Sequence, residues 1–308
     1  MKNLTRSECA QILLAHNNYT IVTHRRPDGD TAGSAATLCM GLRQLGKTAH
    51  ILRNPEITPK YAHLHQGLTK AAAEVGDFVV TVDVASPNML PDGCKSMVFD
   101  LRIDHHGSAT SFTPVELVEA GAAACGEIVY HVLMEMGAEL DIPMANALYT
   151  AISTDTGCFR YANTTAHSYQ VAAACAQAGG DIFAINQALF DTNSLARLRV
   201  QGYLVANARF LQDGKVAICP LPRSVEQEFD ANEDDLDNIS GFPRSIEGVK
   251  LAVTLREEAN GRIKISARAV PGCDASALCA KFGGGGHKGA AGASMDLPLN
   301  EAVEKIVA

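Results

Sequence analysis

The β-branched run Thr20-Ile21-Val22 breaks at Thr23-His24-Arg25-Arg26-Pro27-Asp28-Gly29-Asp30, and an Ala- and Leu-rich run then continues to Gly46. A strand that enters a stiff turn and then a helix is the opening unit of a parallel α/β sheet. Ala35, Leu38, Leu42 and Leu45 keep helical spacing, which predicts a helix from Thr31 to Leu45 covering one face of that sheet. The turn itself holds one imidazole and two carboxylates, off the carboxyl edge where open α/β folds place their ligands. Neutral imidazole nitrogen with carboxylate oxygen is a donor set for Mn²⁺, Fe²⁺ or Zn²⁺, and the absence of thiolates argues against structural zinc. Asp28 and Asp30 fit a helix N-cap equally well. The other acid and histidine clusters must decide.

Those clusters recur at the same kind of position. Phe78-Val79-Val80-Thr81-Val82 is apolar enough for a strand buried on both faces, and it ends in Asp83. A strand expected over Met97 to Ile103 delivers Asp104-His105-His106-Gly107, where one ring can ligate a metal while its neighbour contacts substrate or donates a proton. Helices are expected at Arg6 to His16, Ala122 to Met136 and Pro143 to Ser153, the last running into Asp155 and a turn at Gly157. Further helices are expected at Ala166 to Ala178, Ile182 to Phe190 and Ser194 to Phe210, with a second strand near His50 to Leu52. These residues favour a metal-dependent hydrolase.

A chain of 308 residues, 47% hydrophobic, exceeds what one core usually serves, so two domains are expected. The division falls at a first domain over 1–192, a linker helix over 193–212 and a second domain over 213–308. The second opens with a strand from Lys215 to Leu221. Its clearest feature is a hairpin pairing Val249 to Arg256 with Arg262 to Ala269 across Glu258-Ala259-Asn260-Gly261. Leu251, Val253, Leu255, Ile263, Ile265 and Ala267 take one face, leaving Lys264, Ser266 and Arg268 on the other. A helix over Ala275 to Phe282 leads into Gly283-Gly284-Gly285-Gly286-His287-Lys288-Gly289-Ala290-Ala291-Gly292, whose backbone N–H groups could approach a phosphate.

The formal charge of −8 and the lack of a long basic block exclude steering of a long duplex by bulk charge. An anionic substrate then needs local cations, and divalent metals are the strongest available. Nine scattered cysteines without a CxxC pair point to a reducing cytosol, and no run of about 18 apolar residues suits a membrane span. A cytoplasmic, non-membrane protein is expected, with a homodimer left open.

His24-x3-Asp28-x-Asp30, Asp83, Asp104-His105-His106, Asp155 and the terminal GGGGHKGAAG, in that order, resemble the DHH phosphoesterase superfamily with its DHHA1 second domain. The resemblance spans nearly the whole chain and is closest to the compact nanoRNase and pAp phosphatase subgroup. It implies an N-terminal parallel-sheet DHH domain, a smaller α/β DHHA1 domain with a mixed sheet, and an active site in the interdomain cleft. It implies two Mn²⁺ ions, one on His24, Asp28 and Asp83, the other on Asp30, Asp83, His105 and Asp155, which together ionise the attacking water. Asp104 would orient the histidines and His106 would face the scissile phosphate. Arg268 and the loop of Gly284, Gly285, Gly286 and His287 would grip a terminal phosphate or nucleotide, with Arg160 and Asn163 of the FRYANTT segment as further substrate contacts. Arg25, Arg26 and Thr31 fall at variable positions, and Gly283 lies outside the usual three glycines. Substrates implied are short RNA or DNA oligonucleotides, pAp and linear dinucleotides of the pApA type. A manganese inorganic pyrophosphatase and a non-catalytic nucleotide sensor are the competing readings.

Overall fold

The computed structural model describes residues 2–107, 110–236 and 238–308. The chain divides into two compact units, Met1–Thr192 and Asn193–Ala308. The first is a seven-stranded sheet of β1 (Lys2–Asn3), β2 (Asn18–Val22), β3 (Thr48–Leu52), β4 (Thr69–Lys70), β5 (Phe78–Val82), β6 (Leu101–Asp104) and β7 (Val115–Val118). Its spatial order is β1-β7-β6-β5-β2-β3-β4, and every pair is parallel. The chain builds outward from β2 to β4, then returns to the other side of β2 with β5. Strand order therefore reverses between β2 and β5, and a crevice at the carboxyl edge there is the usual ligand position of such sheets.

The helices are α1 (Arg6–Ala15), α2 (Gly29–Gln44), the short α3 (Pro59–Ala62), α4 (Cys125–Glu135), α5 (Ile142–Asp155), α6 (Ala166–Gln177) and α7 (Ile182–Asn186). Asp28 does cap α2, its carboxylate accepting from the Thr31 N–H at 3.1 Å. Helix α2 is buried along most of its length and lies against α5 through small residues. A Cβ built on Gly33 would stand 2.3 Å from the Ala147 carbonyl oxygen, so only glycine permits this approach. The main core lies between sheet and helices, with Ile21, Leu38, Val80, Ile103, Ile128 and Leu133 among its buried members.

Three expectations change. The strand expected from Met97 begins only at Leu101, because Asp100 turns back to bond Val79 through both its N–H and its carboxylate. The helix expected to reach Phe190 stays α-helical only to Asn186 and widens into a π turn over Gln187–Asp191. The helix expected to reach Phe210 is α8 (Leu195–Ala206), and Arg209 and Phe210 belong instead to β8 (Arg209–Leu211). Val200 and Leu204 of α8 are buried with Ala217, Cys219 and Leu221 in a core of the second unit. Strands β1, β4 and β7 were not expected, since two of them are only two residues long and β7 alternates too briefly for a periodic signal.

The second unit adds β9 (Val216–Leu221), β10 (Leu251–Glu257), β11 (Ile263–Ala269), β12 (Gly285–Gly286) and β13 (Ala290–Met295), in the order β12-β13-β11-β10-β9-β8. Only β9 and β10 pair in parallel. Helices α9 (Arg223–Glu228), α10 (Ala275–Ala280) and α11 (Leu299–Val307) complete it. The β10–β11 hairpin has Leu251 opposite Ala269 and Leu255 opposite Ile265, the register that the apolar alternation predicts. One face packs into a core with Ala275, Cys279 and Val303, and the other presents Lys264, Ser266 and Arg268. Among the described residues no helix is long and apolar enough to cross a membrane.

Gly33→Ala should destabilise the first unit by about 1 to 3 kcal/mol, as overpacking does when the obstacle is backbone. Urea unfolding measures it, and an unchanged midpoint would remove the α2–α5 approach as a constraint.

Candidate metal centre

His24 follows β2, Asp83 follows β5, Asp104 ends β6 and Asp155 ends α5, so four separate elements bring their ends to one place. The His24 Nε2 lies 3.6 Å from Asp28 Oδ1 and 3.6 Å from Asp83 Oδ2. The His105 Nε2 lies 3.7 Å from Asp30 Oδ2, 3.5 Å from Asp83 Oδ1 and 3.4 Å from Asp155 Oδ2. These separations are too long for good hydrogen bonds. They lie at or slightly beyond the separation of two ligand atoms about 2.1 Å from a common ion, roughly 3.0 to 3.5 Å at octahedral to tetrahedral angles.

The side chains are turned for that purpose. The Nδ1–H of His24 donates to the Arg25 carbonyl at 2.7 Å and that of His105 to the Ala122 carbonyl at 3.2 Å, leaving each Nε2 toward the carboxylates. Asp30 is held where it could not cap its own helix: its carboxylate accepts from the Cys125 and Gly126 N–H groups at 2.7 and 3.0 Å, at the N-terminus of α4, and from Ser34 Oγ at 2.9 Å. The dipole of α4 favours negative charge there. Asp83 adopts a left-handed backbone, φ 57°, and its Oδ1 is buried without a hydrogen-bond partner. Aspartate tolerates that conformation better than most residues, and such strain concentrates at functional sites. An unpartnered carboxylate oxygen facing imidazole nitrogens fits a cation, so the donor set suits a divalent metal.

The electrostatics agree. Burial, reinforced by the charges of Asp83 and Asp155, pushes the Asp30 carboxyl well up. Asp155 is pushed up to about 7, first by burial and then by the neighbouring carboxylates, against the pull of His105. Burial opposes charge on His24 and His105, but the surrounding aspartates outweigh it and raise them to about 11 and about 10. Without an added cation this cluster holds protons instead.

His106 stands apart from the ligand set in one respect. Its Nδ1 makes a true hydrogen bond with Asp104 Oδ1, 2.7 Å, which raises its pKa before burial lowers it, and its Nε2 is left for a substrate. Asp104 Oδ1 also accepts the backbone N–H groups of His105 and His106. The expected orienting role of Asp104 has its geometry.

Two supports escaped the sequence reading. Arg102 is 1% exposed, and its guanidinium pairs with Glu116 at 2.8 Å, donates to the Thr110 and Ala85 carbonyls and lies 3.9 Å from Asp104. It ties the segment after Asp83 to the segment after His106. Asn54 donates to Thr23 Oγ1 and to the His24 carbonyl, fixing the turn that carries His24. A basic residue alternating with apolar ones in a strand, or an asparagine past a strand end, gives no distinguishing signal in one sequence.

Of the other expected substrate residues, Asn163 donates to the carbonyls of Asp155 and Ala123, bracing the Asp155 backbone, while exposed Arg160 bonds the Gly157 carbonyl and lies over Phe190. In the second unit a cavity of about 620 Å³ is lined by Arg256, Lys264, Ser266, Arg268, Gly285 and Gly286. The glycine run is not a free loop. Gly285 and Gly286 pair with Gly292 and Ala291, and a Cβ on Gly284 would meet the Gly292 carbonyl oxygen at 2.1 Å. Close strand packing thus requires Gly284 and Gly286, whereas nothing stands near a Cβ on Gly285. His287 and Ala290 close the hairpin through reciprocal backbone bonds.

Residues 18–152 match the model of the DHH family N-terminal domain and residues 213–308 that of the DHHA1 domain. The chain is 32% identical over 292 residues to the bifunctional oligoribonuclease and PAP phosphatase NrnA of Thermus thermophilus, covering 93% of this chain and 87% of that protein. Its structure resembles that of an exopolyphosphatase-related protein from Bacteroides fragilis, with a TM-score of 0.83, 24% identity and coverage of 98% of this chain and 94% of the other. It also resembles RecJ in complex with Mn²⁺ from Thermus thermophilus, with a TM-score of 0.58, 14% identity and coverage of 100% of this chain and 54% of the other. Both structural likenesses speak for the fold. With the two domain models in order and a relative matched along most of its length, the chain belongs to the DHH family of phosphoesterases, in the form that carries a C-terminal DHHA1 domain.

Proposed function

We propose that the protein hydrolyses short oligoribonucleotides to mononucleotides and pAp to AMP and phosphate, using two divalent ions, Mn²⁺ by preference. The observation that carries this reading is Asp83, whose Oδ2 faces His24 while its unpartnered Oδ1 faces His105. A carboxylate shared between two cations needs that division. The activity named for the Thermus thermophilus relative supports the substrate class. His24, Asp28 and Asp83 would hold one ion, and Asp30, Asp83, His105 and Asp155 the other. When bound, such ions lower the pKa of water and offset charge on phosphoryl oxygens.

The chain's own residues supply the rest. Asp104 holds the His106 ring through Nδ1–H and favours its imidazolium, and that form carries a proton on Nε2 for a phosphoryl oxygen or the departing 3′-oxygen. The fixed Nδ1 partner removes the reorientation that a free imidazole would need. In the second unit Arg268, Gly285 and His287 would bind the far phosphate, Gly285 being the glycine whose missing side chain the packing does not require. The first unit is read as the catalytic domain and 213–308 as the substrate-binding domain. Nine free cysteines support a reducing, cytoplasmic setting.

A product-resolved assay of manganese-loaded protein on pAp, on RNA of about two to five nucleotides and on pyrophosphate tests the proposal. Mononucleotides and AMP are expected, and activity confined to pyrophosphate would overturn it. His106→Ala should lower kcat by roughly 10²- to 10⁴-fold with metal content retained, read by steady-state kinetics and metal analysis. Arg268→Ala should raise KM more than it lowers kcat, and the reverse pattern would remove it from binding.

The pH dependence follows from the raised pKa values. Each raised group binds its proton more tightly folded than unfolded, so its contribution to metal-free stability is full below its ordinary value. That contribution is lost as pH rises through about 7 for Asp155 and through about 10 to 11 for His105 and His24. Metal binding must displace these protons. Mn²⁺ should therefore raise Tm more at about pH 8.5 than at about pH 6, with protons released in calorimetry. Equal shifts and no release would contradict the assignment.

A further inference from the structure

A second cavity, of about 420 Å³, lies in the first unit and is lined by Arg53, Asn54, Ile57, His63, Gln66 and Thr69, among others. It is lined by residues just past the carboxyl end of β3, the strand beside β2, among them Asn54, which also bonds the His24 carbonyl. The Asn54 side chain is fully engaged, donating to Thr23 and the His24 carbonyl and accepting the Glu56 N–H at 3.0 Å. The cavity and the His24 turn therefore share one residue.

The whole chain is acidic, yet residues 53–70 carry Arg53, Lys60 and Lys70 against the single carboxylate of Glu56, and with Lys70 paired to Glu74 the cations left near the cavity are Arg53 and Lys60. Among the described residues Arg53 makes no ion pair, and its side chain, with those of His63 and Gln66, is exposed. His65 is committed elsewhere, its Nε2–H donating to the Ala32 carbonyl at 3.1 Å. A guanidinium at the rim suits a phosphate. An apolar wall at Ile57 with an amide and an imidazole suits a flat heterocycle with polar edges, and the volume falls in the range of small-ligand sites.

We infer that this cavity is a nucleotide subsite, which seats the substrate nucleotide adjoining the phosphate under attack, with Arg53 on its phosphate and Gln66 and His63 at its base. This rests on the nucleotide-phosphoesterase reading and adds a specificity determinant in the first unit, separate from the Arg268 cavity. A free mononucleotide product offers the same chemistry, so the test must separate the two.

Kinetics of the full-length protein with Mn²⁺ should compare pApA with bis(p-nitrophenyl) phosphate, a diester without a nucleotide, for wild type, Arg53→Ala and Gln66→Ala. AMP serves as inhibitor. Arg53→Ala should raise KM for pApA by roughly 10-fold more than for the nucleotide-free diester, as loss of a charge-assisted contact predicts, and weaken AMP inhibition in parallel. Arg53→Lys should recover part of the loss. Weakened AMP inhibition with unaltered KM for pApA would overturn the substrate subsite in favour of a product site. Equal effects on both diesters, or none on either, would overturn any nucleotide site here. If wild-type protein cleaves only the nucleotide-free diester, the substrate reading fails, and AMP calorimetry on wild type against Arg53→Ala still decides the cavity.

Discussion

Asp83 occupies a position that burial and backbone geometry both make costly. Its main chain is left-handed, one of its oxygens is buried without a donor, and carboxylates and imidazoles surround it. An arrangement of that kind persists when the surrounding structure over-determines it. Here the determinants are visible: β5 enters the sheet beside β2, the Asp83 N–H donates to the Ile103 carbonyl, and Arg102 joins the segments beyond Asp83 and His106. The sheet's point of reversal, between β2 and β5, is thus also where the strain is held.

The same constraint orders the electrostatics. Several carboxylates in so small a space cannot all ionise in isolation, and in the metal-free cluster burial and mutual repulsion push Asp30 and Asp155 up while the aspartates raise both ligand-type histidines. The helix terminus at Cys125 and Gly126 offsets part of the charge on Asp30. Divalent ions would take the place of the protons, which makes the fold's costliest feature its functional one. His106 borders the cluster, its Nδ1 3.5 Å from Asp83 Oδ1, but Asp104 holds its ring at hydrogen-bonding distance. Under the proposed function, that would separate holding a cation from handling a proton.

Much of this was legible in the residues. Polar groups at strand and helix ends, after runs whose period identified the element, located His24, Asp83, Asp104 to His106 and Asp155. The hairpin register followed from alternation alone. What the sequence could not convey was anything set by contacts between distant segments. Arg102 lies in a buried strand where a charge would not be sought, yet Glu116 of the unexpected β7 completes its pairing. Asn163, expected at the substrate, braces Asp155. The glycine run was read as phosphate-binding loop from composition, whereas two of its glycines are required by strand packing against β13. Asp28 is both cap and candidate ligand, so the two readings that competed at its position were compatible.

The sharing of Asp83 between two cations is the claim on which the functional account turns. Electron paramagnetic resonance of the protein titrated with Mn²⁺ addresses it directly, because a bridging carboxylate couples the spins of the ions it joins. The account predicts an exchange-coupled pair at two ions per chain, which reverts to an isolated-ion spectrum in Asp83→Asn. Two uncoupled ions in the wild-type protein, or a coupled pair that survives the substitution, would contradict it.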